Sequence, residues 1–356
     1  MDSNQPKKNE SVIELLERLD GGQVSLHELK KLVLIQLQKR LQWGYKPTFE
    51  QQQAFHVDFI KSLKQMDISG DMERINAEAY ELPISFLKTM FGKTLKQSAC
   101  YFKDESPTLD EAEMVMNNLI CERARLKDGQ TILDIGCGQG SLVFHIAKKY
   151  KNSLVVGMTN SSEQKNYIEE QCRKLSLSNI KVILADVTKY EMEDRFDRVF
   201  VIEAIEHMKN IQLFLNKVSK WMKEDGILFV EHVCHKVFPE HFEELDNEDW
   251  YAEYIFPKGS VTVHAASTLL YFQDDVTVLE HWIMNGKHMG RTHEKWHNLV
   301  KNIDIAKDVL QLAFGSKEAA EKCINHCLNL FAAMSEQFLY NNGEEWMISQ
   351  IMFKKS

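Results

Sequence analysis

Between about residues 130 and 235, short apolar runs alternate with amphipathic helical segments. That alternation predicts an α/β protein built on a doubly wound parallel sheet. Two further observations point the same way. The run TILDIGCG closes on glycines at the place where a strand turns sharply into a helix. Polar residues also gather at the C-terminal ends of the runs, where open α/β sheets bind their ligands. At 356 residues the chain exceeds one such core. A helical extension over 1–95, a core over 96–238 and a cap with the last strands over 239–356 are therefore expected.

In the extension, SLHELKKLVLIQLQKRL has Ser25 and Glu28 in capping-box spacing and leucines on one helical face. FEQQQAFHVDFIKSLKQM has a similar period, and in YELPISFLKTMFG Pro83 marks a helix start and Gly92 an end. The core then reads as strand TILDI, helix SLVFHIAKKY, strand SLVVGMT, helix SSEQKNYIEEQCRKL, strands IKVILADV and FDRVFVIE, helix IQLFLNKVSKWMK and strand GILFVEHV. Beyond 235 the alternation stops. HFEELDNEDWYAEYIFPKG reads as an irregular cap, two helical stretches fill about 294 to 340, and EEWMISQIMFKK alternates as a final strand.

Composition narrows the function. A formal net charge of −9 excludes a broad basic face, so no nucleic-acid partner is expected. No apolar run reaches the roughly 18 residues of a membrane span, and MDSNQPKKNE has no secretory apolar stretch. Seven cysteines without a paired framework suit reduced thiols in the cytosol. EHVCHK gathers Glu231, His232, Cys234 and His235 but lacks H-E-x-x-H geometry and a second cysteine pair. No metal is assigned there, and His232 is expected to face the pocket.

LDIGCGQG places Gly136, Gly138 and Gly140 between a strand and a helix, in G-x-G-x-G rather than G-x-G-x-x-G spacing. This resembles the loop of S-adenosylmethionine-dependent methyltransferases; a glycine-rich turn in another Rossmann-like domain is the alternative. In that class an acid commonly ends the second strand, whereas here Thr159 and Asn160 do, with Gln164 a turn later. Amides also bond to hydroxyls, so the role survives the change of residue. Asp186 follows the third strand, placed to accept from an adenine amino group or to cap a turn.

The fourth strand ends unusually, because after RVFVI come Glu203, Glu206 and His207. Carboxylates can hold a cation and an imidazole can take a proton near neutral pH, so the three groups suit a site that binds charge and moves a proton. A helix-start cluster is the plainer reading of Glu206 and His207.

TNSSEQ, QSACYF and EHM resemble the cyclopropane-fatty-acid-synthase-like methyltransferases. RLQWGYKPT, YELPISFL, FGKTLKQSACYFKDES, EAIEHMKN, LLYFQDDV and NNGEEWM extend that resemblance to the plant benzylisoquinoline-alkaloid N-methyltransferases, over essentially the whole chain. FGKTLKQS and EAIEHMKN resemble the branch that methylates tetrahydroprotoberberines. The resemblance implies a Rossmann-like class I methyltransferase fold and S-adenosylmethionine held by Ser98, Gly136, Gly138, Asn160, Gln164, Asp186, Val187 and Ile202. It implies catalytic roles for Glu203, Glu206 and His207, and an alkaloid amine substrate met by Tyr80 and Glu81. It also implies a cytosolic homodimer.

Of the cap aromatics, Phe256, with Tyr251, Tyr254 and Trp282, offers faces to a planar cation. Ala99 stands where cyclopropane synthases carry a cysteine, which argues against a lipid substrate, and Phe331 replaces a cysteine of related alkaloid enzymes. Coclaurine-, reticuline- or pavine-type acceptors remain alternatives, as do, more remotely, a catalytically silent cofactor-binding protein and a lipid-modifying relative.

Overall fold

The computed structural model describes residues 10–70, 82–103, 108–256, 259–301 and 305–356. Five strands run parallel: β1 Thr131–Ile135, β2 Leu154–Thr159, β3 Ile180–Leu184, β4 Phe196–Ile202 and β5 Met222–His235, in the spatial order β3-β2-β1-β4-β5. Between them lie α6 Ser141–Lys149, α7 Ser162–Leu175 and α8 Ile211–Lys220. In β4, Val199 and Val201 are buried in the core on one face of the sheet, and Phe200 in the core on the other. Burial on both faces is why these strands read as continuous apolar runs rather than alternating ones. The strand order reverses between β1 and β4, so a crevice opens beyond their carboxyl ends.

Past residue 235 the sheet continues further than the sequence pattern suggests. β9 Trp346–Lys355 lies antiparallel to β5, and β8 Val276–Met284 antiparallel to β9. The short β6 Glu240–His241 pairs with β7 Thr262–Ala265, which joins the end of β5. β8 escapes a two-residue pattern because its register shifts between Val278 and Glu280. The late helical region is three helices rather than two: α10 Lys287–Lys301, α11 Ile305–Phe314 and α12 Lys317–Leu339. The cap stretch contains one short helix, α9 Trp250–Ile255.

The extension supplies α1 Val12–Asp20, α2 Leu26–Gly44, α3 Phe49–Leu63 and α4 Ile84–Met90, with α5 Leu109–Arg123 leading into β1. Ser25 accepts from the Glu28 N–H, but the reciprocal half of the capping box is missing because the Glu28 carboxylate pairs with Arg18 at 2.8 Å. Both halves form at Ser11 with Glu14 and at Thr108 with Glu111. Pro83 precedes α4 as expected.

One buried ion cluster ties the extension to the cap. Arg40 on α2 is fully buried, and its guanidinium meets Glu240 and Asp249, each at 2.7 Å. The same guanidinium lies 4.3 Å from the centre of the Phe242 ring. Removing the cation leaves two carboxylates in a dry interior, which costs far more than losing a surface pair. Arg40→Ala is therefore expected to lower stability by about 3–5 kcal/mol in urea unfolding. Lys39→Ala, whose partners Asp246 and Glu248 are exposed, should cost under about 1 kcal/mol.

Candidate active site

Two cavities meet beyond the ends of β1 and β4. The first runs along the glycine loop and is lined by all eight residues expected to hold a cofactor: Ser98, Gly136, Gly138, Asn160, Gln164, Asp186, Val187 and Ile202. Gly136 and Gly138 both have positive φ, at 75° and 53°, a conformation other residues seldom adopt. A Cβ on Gly136 would approach the Ala204 Cβ to 2.8 Å, whereas one on Gly138 would enter open space beside the cavity. The loop thus brings bare backbone to the cavity wall.

The polar groups around this wall suit a nucleoside. Thr159 donates its hydroxyl to Gln164 Oε1 at 2.6 Å, which leaves the Gln164 amide N–H groups as donors. Asp186 Oδ1 accepts from the N–H and hydroxyl of Thr188, at 2.9 and 2.7 Å. Burial alone would raise this carboxyl; the Thr188 bonds and Lys189 hold it below its ordinary range. Asp186 therefore caps its turn and also lines the cavity, as an ionised acceptor.

The second cavity, of about 450 Å³, is mostly apolar and lies under α4, α10, α12 and the cap. Its walls include Phe91, Phe242, Trp296 and Phe338 together with Tyr254 and Phe256. Glu203, His207 and Gln97 line both cavities, and Glu206 lines the second. The short 3-10 turn Ile205–His207 aims these groups by ending β4 abruptly, and Glu203 itself holds φ 47°. Glu203 Oε1 accepts from the Ala99 N–H at 2.8 Å, and Glu206 Oε1 accepts from the Val233 N–H at 2.8 Å. Glu206 Oε2 is buried with no hydrogen-bond partner.

Burial and the neighbouring Glu231 and Glu206 carboxylates push the Glu203 carboxyl well above the usual range, against the opposing pull of the Ala99 N–H and Lys96. Burial pushes Glu206 up to about 7, with the Val233 N–H pulling it back. His207 is shifted the other way: burial lowers it, so the ring is neutral at neutral pH. Its Nδ1 faces the Ser260 carbonyl at 3.2 Å; a carbonyl can only accept, so Nδ1 carries the proton and Nε2 keeps the lone pair.

Not every expected residue faces the second cavity. His232 does not: it is buried beside His264, with ring centroids 5.6 Å apart, while its neighbour Val233 lines the cavity. One step along a strand turns a side chain to the opposite face. Trp282 is likewise elsewhere, packed on Phe229 with the Arg123 guanidinium 4.8 Å from its ring. Tyr251 is buried behind the cavity wall. Tyr80 and Glu81 lie outside the described residues.

The structure adds groups that sequence reasoning missed. Lys96, 4% exposed, donates to the Ser98 hydroxyl and lowers the pKa values of Asp134, Glu203 and Glu231. Burial nonetheless leaves Asp134 at about 7 and Glu231 above its ordinary range. Glu231 accepts from Gln350, whose oxygen is in turn bonded by Arg123. A carboxylate in the middle of the run GILFVEHV was a visible signal for Glu231. Nothing local in the sequence marked Lys96.

The chain as a whole is similar to known proteins. Residues 69–339 match the family model described as mycolic acid cyclopropane synthetase. The chain is 56% identical to (S)-tetrahydroprotoberberine N-methyltransferase of Eschscholzia californica, over 96% of this chain and 98% of that one. It is 52% identical to pavine N-methyltransferase of Thalictrum flavum subsp. glaucum over the full length of both. A solved coclaurine N-methyltransferase bound to N-methylheliamine and SAH matches with a TM-score of 0.95 and 50% identity, covering 97% of this chain and 99% of that chain.

The Glu206 shift has a measurable sign. An acid whose folded pKa exceeds its ordinary 4.5 costs nothing below that pH and destabilises the fold increasingly as pH rises to about 7. At about 1.4 kcal/mol per pH unit, the full penalty is on the order of 3 kcal/mol. Glu206→Gln removes it, so the variant's stability relative to wild type should rise between pH 5 and pH 8 in denaturant titrations. A difference that does not change with pH contradicts the shift.

Proposed function

The chain belongs to the mycolic acid cyclopropane synthetase family, and from that membership and the site geometry we propose that it methylates the amine nitrogen of a tetrahydroprotoberberine-type benzylisoquinoline alkaloid, giving a quaternary N-methyl product. It is an S-adenosylmethionine-dependent N-methyltransferase on a Rossmann-like class I fold. The 56% identity to the Eschscholzia californica tetrahydroprotoberberine enzyme over nearly the whole of both chains supports this acceptor. The observation that carries the reading is the wall shared by the two cavities, where Glu203 and His207 stand between the glycine-loop groove and an aromatic chamber.

When bound, the cofactor supplies an electrophilic methyl group on a sulfonium. Gly136, Gly138, Asn160, Gln164 and Asp186 are the residues that would hold it, and their bare backbone and hydroxyl-seeking amides fit that role. The amine presents the opposite problem, because its lone pair is the nucleophile and near neutral pH it arrives protonated. Glu203 and Glu206 ionise as the cation arrives and offset its charge in a mostly apolar chamber. His207 Nε2 receives the proton, and the aromatic walls fix the ring system while excluding water. Phe256 serves as one of those walls. In this reading α4 of the extension, the cap with α9, and α10 and α12 roof the chamber, while β8 and β9 complete the core sheet.

We place the enzyme in the cytosol as a homodimer. All seven cysteines are unpaired, which suits a reducing compartment. Among the described residues no helix is long and apolar enough to cross a membrane.

Glu203→Gln is expected to weaken amine binding, because it removes an attraction present before and during transfer. His207→Ala should instead lower turnover by about 10² to 10⁴, with partial rescue at higher pH as more amine arrives neutral. Both should still bind cofactor in calorimetry, and wild-type turnover by His207→Ala at every pH would remove the residue from the mechanism. Light scattering at micromolar concentration should give twice the chain mass; a monomer would refute the dimer.

A further inference from the structure

The larger cavity carries a hydrogen-bond donor that amine methylation does not use. Gln337 on α12 lines that cavity and is 2% exposed. Tyr251 lies behind it, fully buried, and donates its hydroxyl to Gln337 Oε1 at 2.5 Å. Burial keeps the phenol protonated, so it is a donor throughout the working pH range. Turning the amide over would leave the phenol proton only the Met334 sulfur, at 3.8 Å, a much weaker acceptor. The Gln337 oxygen is therefore engaged and its NH2 group is left to face the cavity. The indole N–H groups of Trp296 and Trp346, two more cavity-lining residues, also have no acceptor.

Acceptors in this chamber are placed differently. Glu203 and Glu206 sit at the cofactor end, committed to the amine. His326 lies about 16 Å from Gln337 along the same helix at 1.5 Å per residue, and Glu253 is exposed. His293 on α10 also lines the chamber, and with Nδ1 facing the Met289 carbonyl at 3.0 Å its Nε2 is an acceptor. The Gln337 amide is thus a donor on a wall whose acceptors belong to other elements.

The geometry points to Gln337, oriented by Tyr251, as the residue that selects an acceptor-only oxygen, an aryl ether, on the aromatic part of the amine substrate. This deepens the proposed function and rests on it. An ether oxygen accepts from the amide N–H and brings no donor of its own. A phenol can accept the same bond, but the amide then offers nothing to its O–H, which is left unpaired at every ring position out of reach of His293 Nε2, so discrimination of about tenfold or more is expected at such a position.

The test uses pairs of amine substrates that differ only in whether one ring oxygen is methylated or free, varied over the ring positions. Wild type should favour the ether at one position by about tenfold or more in kcat/KM, mainly through KM. Gln337→Glu, which turns the donor into an acceptor, should reverse that preference. Tyr251→Phe frees the amide to turn and should narrow the preference. Binding of SAH by each variant reports folding, and the wild-type pairs decide alone if a variant fails that check. Equal kcat/KM within every wild-type pair, or a preference retained by a folded Gln337→Leu, overturns the assignment. Failure to methylate any amine while SAH still binds would instead refute the proposed reaction. Direct titration of the same pairs into wild type and Gln337→Leu then decides the role of Gln337 independently of turnover.

Discussion

Burying several carboxyl groups beside one lysine governs the rest of this structure. Glu203 and Glu206 follow β4, Glu231 lies on β5 next to it, and Asp134 lies on β1, while Lys96 is the cation that lowers three of them. These carboxyl groups are largely desolvated by the protein around them, so each ionised carboxylate is expensive and the group holds protons that exposed acids would lose. A site in this condition is short of positive charge. The ligands that relieve it are cations, and a protonated amine is such a ligand.

The fold creates that condition through topology. The order β3-β2-β1-β4-β5 opens its crevice beyond β1 and β4, and the glycine loop and Glu203 emerge there. Dryness comes from elsewhere. Helices α4, α10 and α12 and the cap close over the crevice, and Arg40 locks the extension to the cap through Glu240 and Asp249. A cluster distant in sequence from the chemistry thereby maintains the low dielectric that the carboxyl groups depend on.

What could be read in advance follows from how local each signal is. The glycine loop, Asp186 and the Glu203–His207 stretch were legible because strand ends and tight turns impose rules over a few neighbouring residues. Strand alternation also separates His232 from Val233, yet which of the two faces the cavity depends on how β5 packs between β4 and β9. Lys96 acts through groups far along the chain, and Gln337 matters only because Tyr251 reaches it across 86 positions. Trp282 looked like a cap aromatic, but the register shift in β8 belongs to a sheet edge that the sequence pattern concealed. Composition and periodicity report neighbours along the chain and say little about such long-range pairs.

Proton counting during cation binding probes the carboxyl cluster most directly. SAH-bound protein would be titrated near pH 7 with a quaternary N-methyl alkaloid, by calorimetry in buffers of different ionisation enthalpy. The quaternary nitrogen carries no proton, so any proton released comes from the protein. Carboxyl groups held protonated by burial predict net release on binding, largely lost in a Glu203→Gln, Glu206→Gln double variant. Tight binding with no proton exchange would contradict the idea that a cation's arrival ionises this cluster.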